Sequence, residues 1–319
     1  MSSLISVKNL SRFYGDNCAV NNISFGLETG DILGFLGPNG AGKSTTMQML
    51  SGNLAPSEGE ISINGIDLLE EPKLAKVELG YLPETPPLYK EMKVDEYLNY
   101  VAKLHRIHKA EVNFALNNTK ERCGLSDVGG RLIGNLSKGY QQRVGIAQAI
   151  LHSPQIIILD EPTVGLDPNQ ILEIRDLISE LGRNHGIILC SHILPEIQAV
   201  CNRVQIINQG ALVFESGIDE LLGQSDTGLH AVSFSRAPVI DVIQQLDCID
   251  SVEAINATDF VVKCSDTDAL VKASVASDWG LNKLLPKELT LEQIFVNLTS
   301  GDIPVETDDS SETTVEAAA

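Results

Sequence analysis

Gly37-Pro38-Asn39-Gly40-Ala41-Gly42-Lys43-Ser44-Thr45 matches G-x-x-x-x-G-K-[ST], the pattern of a phosphate-binding loop. From residue frequencies alone, a chain of this length meets that pattern about once in a hundred times. Its surroundings add weight. Ile32-Leu33-Gly34-Phe35-Leu36 before it reads as a short buried strand, and Thr45 to Leu50 after it as a helix. That is the setting the loop requires. There, successive backbone N–H groups and the helix N-terminus surround a β-phosphate. Lys43 reaches the β/γ oxygens, and Ser44 holds Mg²⁺ through its hydroxyl. The fold this stretch predicts is α/β.

Further along, Ile156-Ile157-Ile158-Leu159-Asp160-Glu161-Pro162 is an aliphatic strand ending in two carboxylates. Mg²⁺ is a hard cation that takes oxygen ligands, which Asp160 supplies directly or through water. Glu161 is then placed to accept a proton from the attacking water or to orient it. A second aliphatic strand, Ile187-Ile188-Leu189-Cys190, follows a helix near 169–182. Fully apolar strands separated by helices belong to a parallel sheet covered on both faces.

The remaining segments take their places around this core. Leu4 to Asn9 and Val20 to Phe25 alternate as strands, and Ile61-Ser62-Ile63 leads into the hairpin signal Asn64-Gly65. Residues 93–151 change to helical spacing, with Tyr97, Tyr100, Val101 and Leu104 on one face. Val112, Ala115 and Leu116 share another face, and Gly124 ends that helix. A last hairpin, Arg203 to Phe214, turns at Asn208-Gln209-Gly210. Residues 217–228 read as a helix-containing linker. Residues 229–300 then follow the order βαββαβ, which predicts a small ferredoxin-like α+β domain. Its closing helix opens on the capping box Thr290-Leu291-Glu292-Gln293. The tail 301–319 carries six acidic residues and no basic one, and is expected to be disordered.

Composition excludes several classes of function. Among 319 residues, 23 basic and 43 acidic side chains give a net charge of −20. Long-range forces therefore repel nucleic acid and anionic lipid, and membrane association is expected to run through a protein partner. No apolar run approaches the roughly 18 residues of a membrane span, so direct lipid insertion is not expected. Met1-Ser2-Ser3-Leu4-Ile5 lacks the basic start and apolar stretch of a signal peptide. Cys18, Cys123, Cys190, Cys201, Cys248 and Cys264 form no C-x-x-C pair. They read as reduced thiols with no metal site in their spacing.

Leu136-Ser137-Lys138-Gly139-Tyr140-Gln141-Gln142-Arg143 begins a helix with Ser137 as its N-cap. Here the sequence resembles the ATP-binding subunits of ABC transporters, whose LSGGQ-QR signature stands just before the second motif's strand. Ser137 and Gly139 are kept, while Lys138 and Tyr140 replace a Gly and a Gln. The resemblance extends to Gly165-Leu166-Asp167-Pro168 as the D-loop, to Ser191-His192 as the switch histidine, and to Tyr14 as the aromatic that stacks on adenine. It implies an ABC-type P-loop NTPase in residues 1–216, with a parallel core sheet, an antiparallel β subdomain and a helical subdomain over about 85–150. It places Asp167 and His192 with Glu161 and Lys43 in the catalytic set. In Gly80-Tyr81-Leu82-Pro83-Glu84, Glu84 stands where the family has the Q-loop glutamine, beside Mg²⁺.

The resemblance further implies ATP and Mg²⁺ as ligands and a head-to-tail homodimer, in which Ser137 and Gly139 face the γ-phosphate of the partner chain. Lys138 then points either to the phosphates or to solvent. Spacing and the Glu84 variant look closest to ABC-2-type exporters, which implies a separate integral-membrane permease and a location on the cytoplasmic face of the inner or plasma membrane. The alternative is an ABC-type ATPase in a non-transport role, as an assembly or scaffold ATPase.

Overall fold

The computed structural model describes residues 3–218, 228–286 and 291–300. The chain opens on an antiparallel pair, β1 (Ser3–Tyr14) and β2 (Asn17–Glu28), followed by β3 (Ile32–Leu36), the phosphate loop and α1 (Lys43–Leu50). Next come β4 (Glu58–Ile63) and β5 (Ile66–Asp67). Asn64 and Gly65 join them with φ of 50° and 78°, the left-handed pair that a tight two-residue turn demands. A short α2 (Pro72–Ala75) leads into β6 (Leu79–Leu82), which had no strand signal of its own. The helical region holds α3 (Val94–Leu104), α4 (Lys109–Arg122) and α5 (Lys138–Ile150). Then follow β7 (Ile156–Asp160), α6 (Pro168–Gly182), β8 (Gly186–Ser191), α7 (Leu194–Val200), β9 (Arg203–Asn208) and β10 (Ala211–Gly217).

Six strands form the main sheet in the order β10-β9-β3-β8-β7-β6. Its inner pairings are parallel, and β10 closes it antiparallel to β9. A second, antiparallel sheet runs β2-β1-β4-β5. The apolar runs explain why both faces of the main sheet are covered. Side chains alternate across a strand, so Ile157 and Leu159 join the core under the helices while Ile156 and Ile158 join the core under the second sheet and α1. Ile187 and Leu189 divide from Ile188 and Cys190 in the same way.

In α3 the buried residues are Val94, Tyr97, Leu98, Val101 and Ala102. Tyr100 and Leu104, expected on the face of Tyr97, stand exposed. Two overlapping i, i+3, i+4, i+7 stripes exist in this helix, and contact with the core selects the one starting at Val94.

Beyond residue 228, β11 (Leu229–Phe234), α8 (Ile240–Gln244), β12 (Ile249–Ala254), β13 (Asp259–Cys264), α9 (Thr267–Ala276) and β14 (Leu281–Pro286) build a small unit. Its antiparallel sheet runs β12-β13-β11-β14, over a core that includes Phe234, Phe260 and Trp279. The last helix, α10 (Leu291–Ser300), departs from the expected grouping. Leu291 is buried in the helix-side core of the first unit, with Ile294, Phe295 and Leu298 packed against it. Asn208 Nδ2 donates to Leu298 O at 3.3 Å. An i, i+3, i+4, i+7 stripe needs an apolar partner, and the cassette supplies it rather than the neighbouring α+β sheet. The proposed capping box at Thr290, most of the linker and the tail 301–319 lie outside the described residues. All six cysteines are free.

His152 follows α5, its ring stacked on His105 with centroids 3.8 Å apart. Its Nε2 lies 3.1 Å from Leu79 O, the bond of a neutral ring donating to a carbonyl, and its Nδ1 is buried without a partner. Burial, then the neighbouring His105, push its pKa down to about 4. The unfolded chain takes up this proton near pH 6.5, and the folded chain only near 4. Stability from this group is therefore full above 6.5 and drains away as pH falls toward 4. Thermal unfolding followed against pH will fall less steeply across that window in His152→Gln than in the parent. Parallel curves would remove His152 from this account.

Candidate functional site

The phosphate loop is held from behind. Gly210 N donates to Ala41 O at 2.9 Å, and a Cβ on Gly37 would stand 2.4 Å from Ile207 O. Gly42 adopts φ +109°, and its Cβ would meet Ala19 O at 2.5 Å. Both glycines answer to a close backbone approach, and Gly42 also to a left-handed φ. Lys43 is buried, its ammonium donating to Gly37 O at 2.8 Å and Pro38 O at 3.2 Å. α1 starts directly at Lys43, so its first N–H groups open toward the loop.

A cavity of about 310 Å³ lies in front of this loop. Asn39, Gly40, Gly42, Lys43, Ser44 and Thr45 line one side, while Glu84, Glu161 and His192 reach it from the ends of β6, β7 and β8. Ala19 and Val164 also line it without any signal in the sequence. Glu161 turns the chain at the strand end with φ +50°, uncommon for a residue with a side chain. Its Oε1 lies 2.8 Å from His192 Nδ1, and its Oε2 is buried with no partner.

Asp160 is buried, and its Oδ1 is also unpartnered. Burial pushes its carboxyl above the usual range. The Cys190 thiol, which hydrogen-bonds to it, and the Lys43 ammonium oppose that rise, while the charges of Glu161 and Glu84 add to it. Buried carboxylate oxygens without donors are costly in isolation. Together with the Ser44 hydroxyl they supply oxygen donors only, the donor type that suits Mg²⁺. The residues present therefore fit this cation.

Other expected residues stand apart from the chain's own cavity. Tyr14 is 46% exposed, with the Arg12 guanidinium 4.9 Å from its ring centroid. Ser137 caps α5 by accepting from Tyr140 N at 3.4 Å, and its side chain is exposed. Gly139 packs against the Gln170 side chain, where a Cβ would collide. Asp167 caps α6, accepting from Gln170 N at 3.0 Å. Lys138 is solvent-exposed, and its ammonium lies over Gly165 of the D-loop. α5 and α6 are further joined by the Arg143–Glu173 ion pair.

Sequence reading assigns no role to Thr163 or Glu196, yet both are buried behind Glu161 and His192. The available signal for Glu196 is an acid at a core-facing position among Ile193, Leu194 and Ile197.

Comparison with known proteins agrees with this arrangement. The family model described as ABC transporter matches residues 20–164. The bacitracin transport ATP-binding protein BcrA of Bacillus licheniformis is 36% identical over 94% of this chain and 99% of its own length. The ABC transporter ATP-binding protein NatA of Bacillus subtilis is also 36% identical, over 68% of this chain and 91% of its own. Among solved structures, an ATP-binding subunit of an ABC transporter superposes with a TM-score of 0.64 at 32% identity, covering 69% of this chain and 92% of its own. ABC ATPase domains bind ATP, and the loop and cavity described above are where this chain has the groups to do so. The chain belongs to the ABC transporter family, as one of its ATP-binding subunits.

Proposed function

We propose that this chain hydrolyses ATP to drive a membrane exporter whose permease is a separate polypeptide. The observation that carries hydrolysis is the Glu161 carboxylate. One oxygen is steadied by His192, and the other is buried without a partner, on the wall of the cavity that faces Lys43 and Ser44. Phosphoryl transfer needs positioning and charge stabilisation more than covalent chemistry. Loop N–H groups and Lys43 hold the β- and γ-phosphates, and Glu161 takes a proton from the attacking water. His192, on the same wall, is set to meet the γ-phosphate. Ser44 and Asp160 would hold Mg²⁺, with Glu84 as a further oxygen donor. When bound, that ion neutralises charge on the phosphate oxygens.

Ser137, Gly139 and Asp167 take no part in the chain's own cavity, which supports a head-to-tail homodimer that brings them to a partner's nucleotide. The near full-length likeness to a bacitracin transport protein supports the exporter reading. A groove of about 550 Å³ between the main sheet and the helical region is bounded by Gln48, Lys76, Tyr81, Pro83 and Gln148. It opens next to Glu84, and we assign it to the permease. No helix among the described residues is long and apolar enough to cross a membrane. On this reading the permease also provides the attachment, at the cytoplasmic face.

Two measurements test this reading. The purified chain should turn over ATP, and Glu161→Gln loaded with ATP should retain an integral membrane protein in pull-downs from membranes. A chain active alone that captures no integral protein would sink the exporter assignment. Glu84→Gln tests the cation site. Replacing a carboxylate by an amide weakens a hard-cation ligand, so hydrolysis persists but its Mg²⁺ titration moves to higher concentration. An unmoved titration would count against Glu84 as a ligand.

A further inference from the structure

Glu196 lies in the first turn of α7, only 2% exposed. A buried carboxylate is tolerated only where donors satisfy it, and here both oxygens are engaged. Thr163 Oγ1 donates to Oε1 at 2.5 Å, and Ser191 Oγ donates to Oε2 at 3.1 Å. Ser191 Oγ in turn accepts from Ile193 N at 3.1 Å. These two hydroxyls belong to different strand ends. Thr163 follows Glu161 by two residues on the β7 side, and Ser191 immediately precedes His192 on the β8 side.

We propose that Glu196 is a positioning residue that locks the turn carrying Glu161 to the strand end carrying His192. The bond at stake is the 2.8 Å contact between Glu161 Oε1 and His192 Nδ1. Glu161 sits in a left-handed conformation at the start of a tight turn, closed by Val164 N donating to Glu161 O at 3.3 Å. Such a conformation persists only where its surroundings over-determine it. Main-chain pairing anchors one side of this turn, through Glu161 N to Cys190 O at 2.9 Å. The Thr163–Glu196 bond anchors the other. Glu196 does not line the cavity and touches neither the phosphate loop nor Lys43, so it acts on the alignment of the base rather than on nucleotide binding.

This inference rests on the hydrolysis reading, and the test separates the two. ATP affinity, kcat and Tm are measured for the parent, Glu196→Gln, Glu196→Ala, Thr163→Val and Ser191→Ala. The same Glu196→Ala change is also made in a His192→Ala background. A base displaced by about 1 Å loses up to a hundredfold in rate. Glu196→Ala is therefore expected to lower kcat at least tenfold, with ATP affinity within about twofold of the parent. Glu196→Gln preserves the shape and the Thr163 bond, and recovers part of the loss. In the His192→Ala background the Glu196→Ala change adds less than about twofold, because the alignment it serves is already gone. Multiplicative losses there, or kcat and ATP affinity falling together, would overturn the proposal in favour of a stability role alone. Should Glu196→Ala not fold, Thr163→Val and Ser191→Ala decide by the same criteria. A parent with no turnover would instead refute the hydrolysis reading itself.

Discussion

Glu161→Gln will lower steady-state ATP turnover by about 10²–10⁴-fold, the usual contribution of a positioned general base. ATP binding will persist. The amide is nearly the same shape as the carboxylate, keeps an acceptor for the His192 ring, and removes the Glu161 charge that adds to burial in lifting the Asp160 pKa. It cannot take a proton from water. The expected species is a stable ATP-bound dimer, visible as a doubling of mass in size-exclusion chromatography with ATP and Mg²⁺. Turnover near the parent rate would show that the base lies elsewhere and would withdraw the role given to the unpartnered Oε2.

Gly42→Ala produces the second large effect, and it acts on binding. Two independent faults follow from one added methyl. The backbone stands at φ +109°, and the methyl carbon would come within 2.5 Å of Ala19 O, a main-chain atom with little room to move. Strained dihedrals of this sort cost about 1–3 kcal/mol, before the collision is counted. The chain relieves both by shifting the loop, which moves the N–H groups at the start of α1 away from the phosphates. ATP at a hundred times its Kd stabilises a binding protein by about 2.7 kcal/mol. In the parent this appears as a Tm rise of several degrees, and in Gly42→Ala it is absent. A variant with the parent's ATP-dependent shift would mean that the loop tolerates the methyl, and that the glycine is not required by close approach.

The parts of the site legible from sequence are those encoded in consecutive residues. The glycine spacing before Lys43, the carboxylate pair after Ile156–Leu159 and the histidine after Ile187–Cys190 each sit at the end of a buried strand. Parallel pairing then brings β3, β7 and β8 to one edge. What escaped depends on contacts between distant segments. Glu196 has meaning only through Thr163 and Ser191. The proximity of the Lys138 ammonium to Gly165 is likewise invisible in the signature, because Gly165 arrives from another loop. Asp167 reads as a motif residue, while its local bond is that of a helix cap. The exposed Tyr100 and Leu104 show the same limit in the helical region. Periodicity names a stripe, but the stripe that is covered is chosen by what packs on it.

The docking of α10 alters how the α+β unit should be regarded. Because Leu291, Ile294, Phe295 and Leu298 return to the cassette, the sheet of residues 229–286 is an insert moored at two points rather than a pendant on one tether. Its chain is thus tied to the cassette on both sides, through β10 before it and α10 after it. One mooring, Asn208, ends the strand whose turn continues to Gly210, the residue bonded to Ala41 in the phosphate loop. Excising the insert while sparing residues 291–300 is thus a gentler operation than trimming the chain after β10.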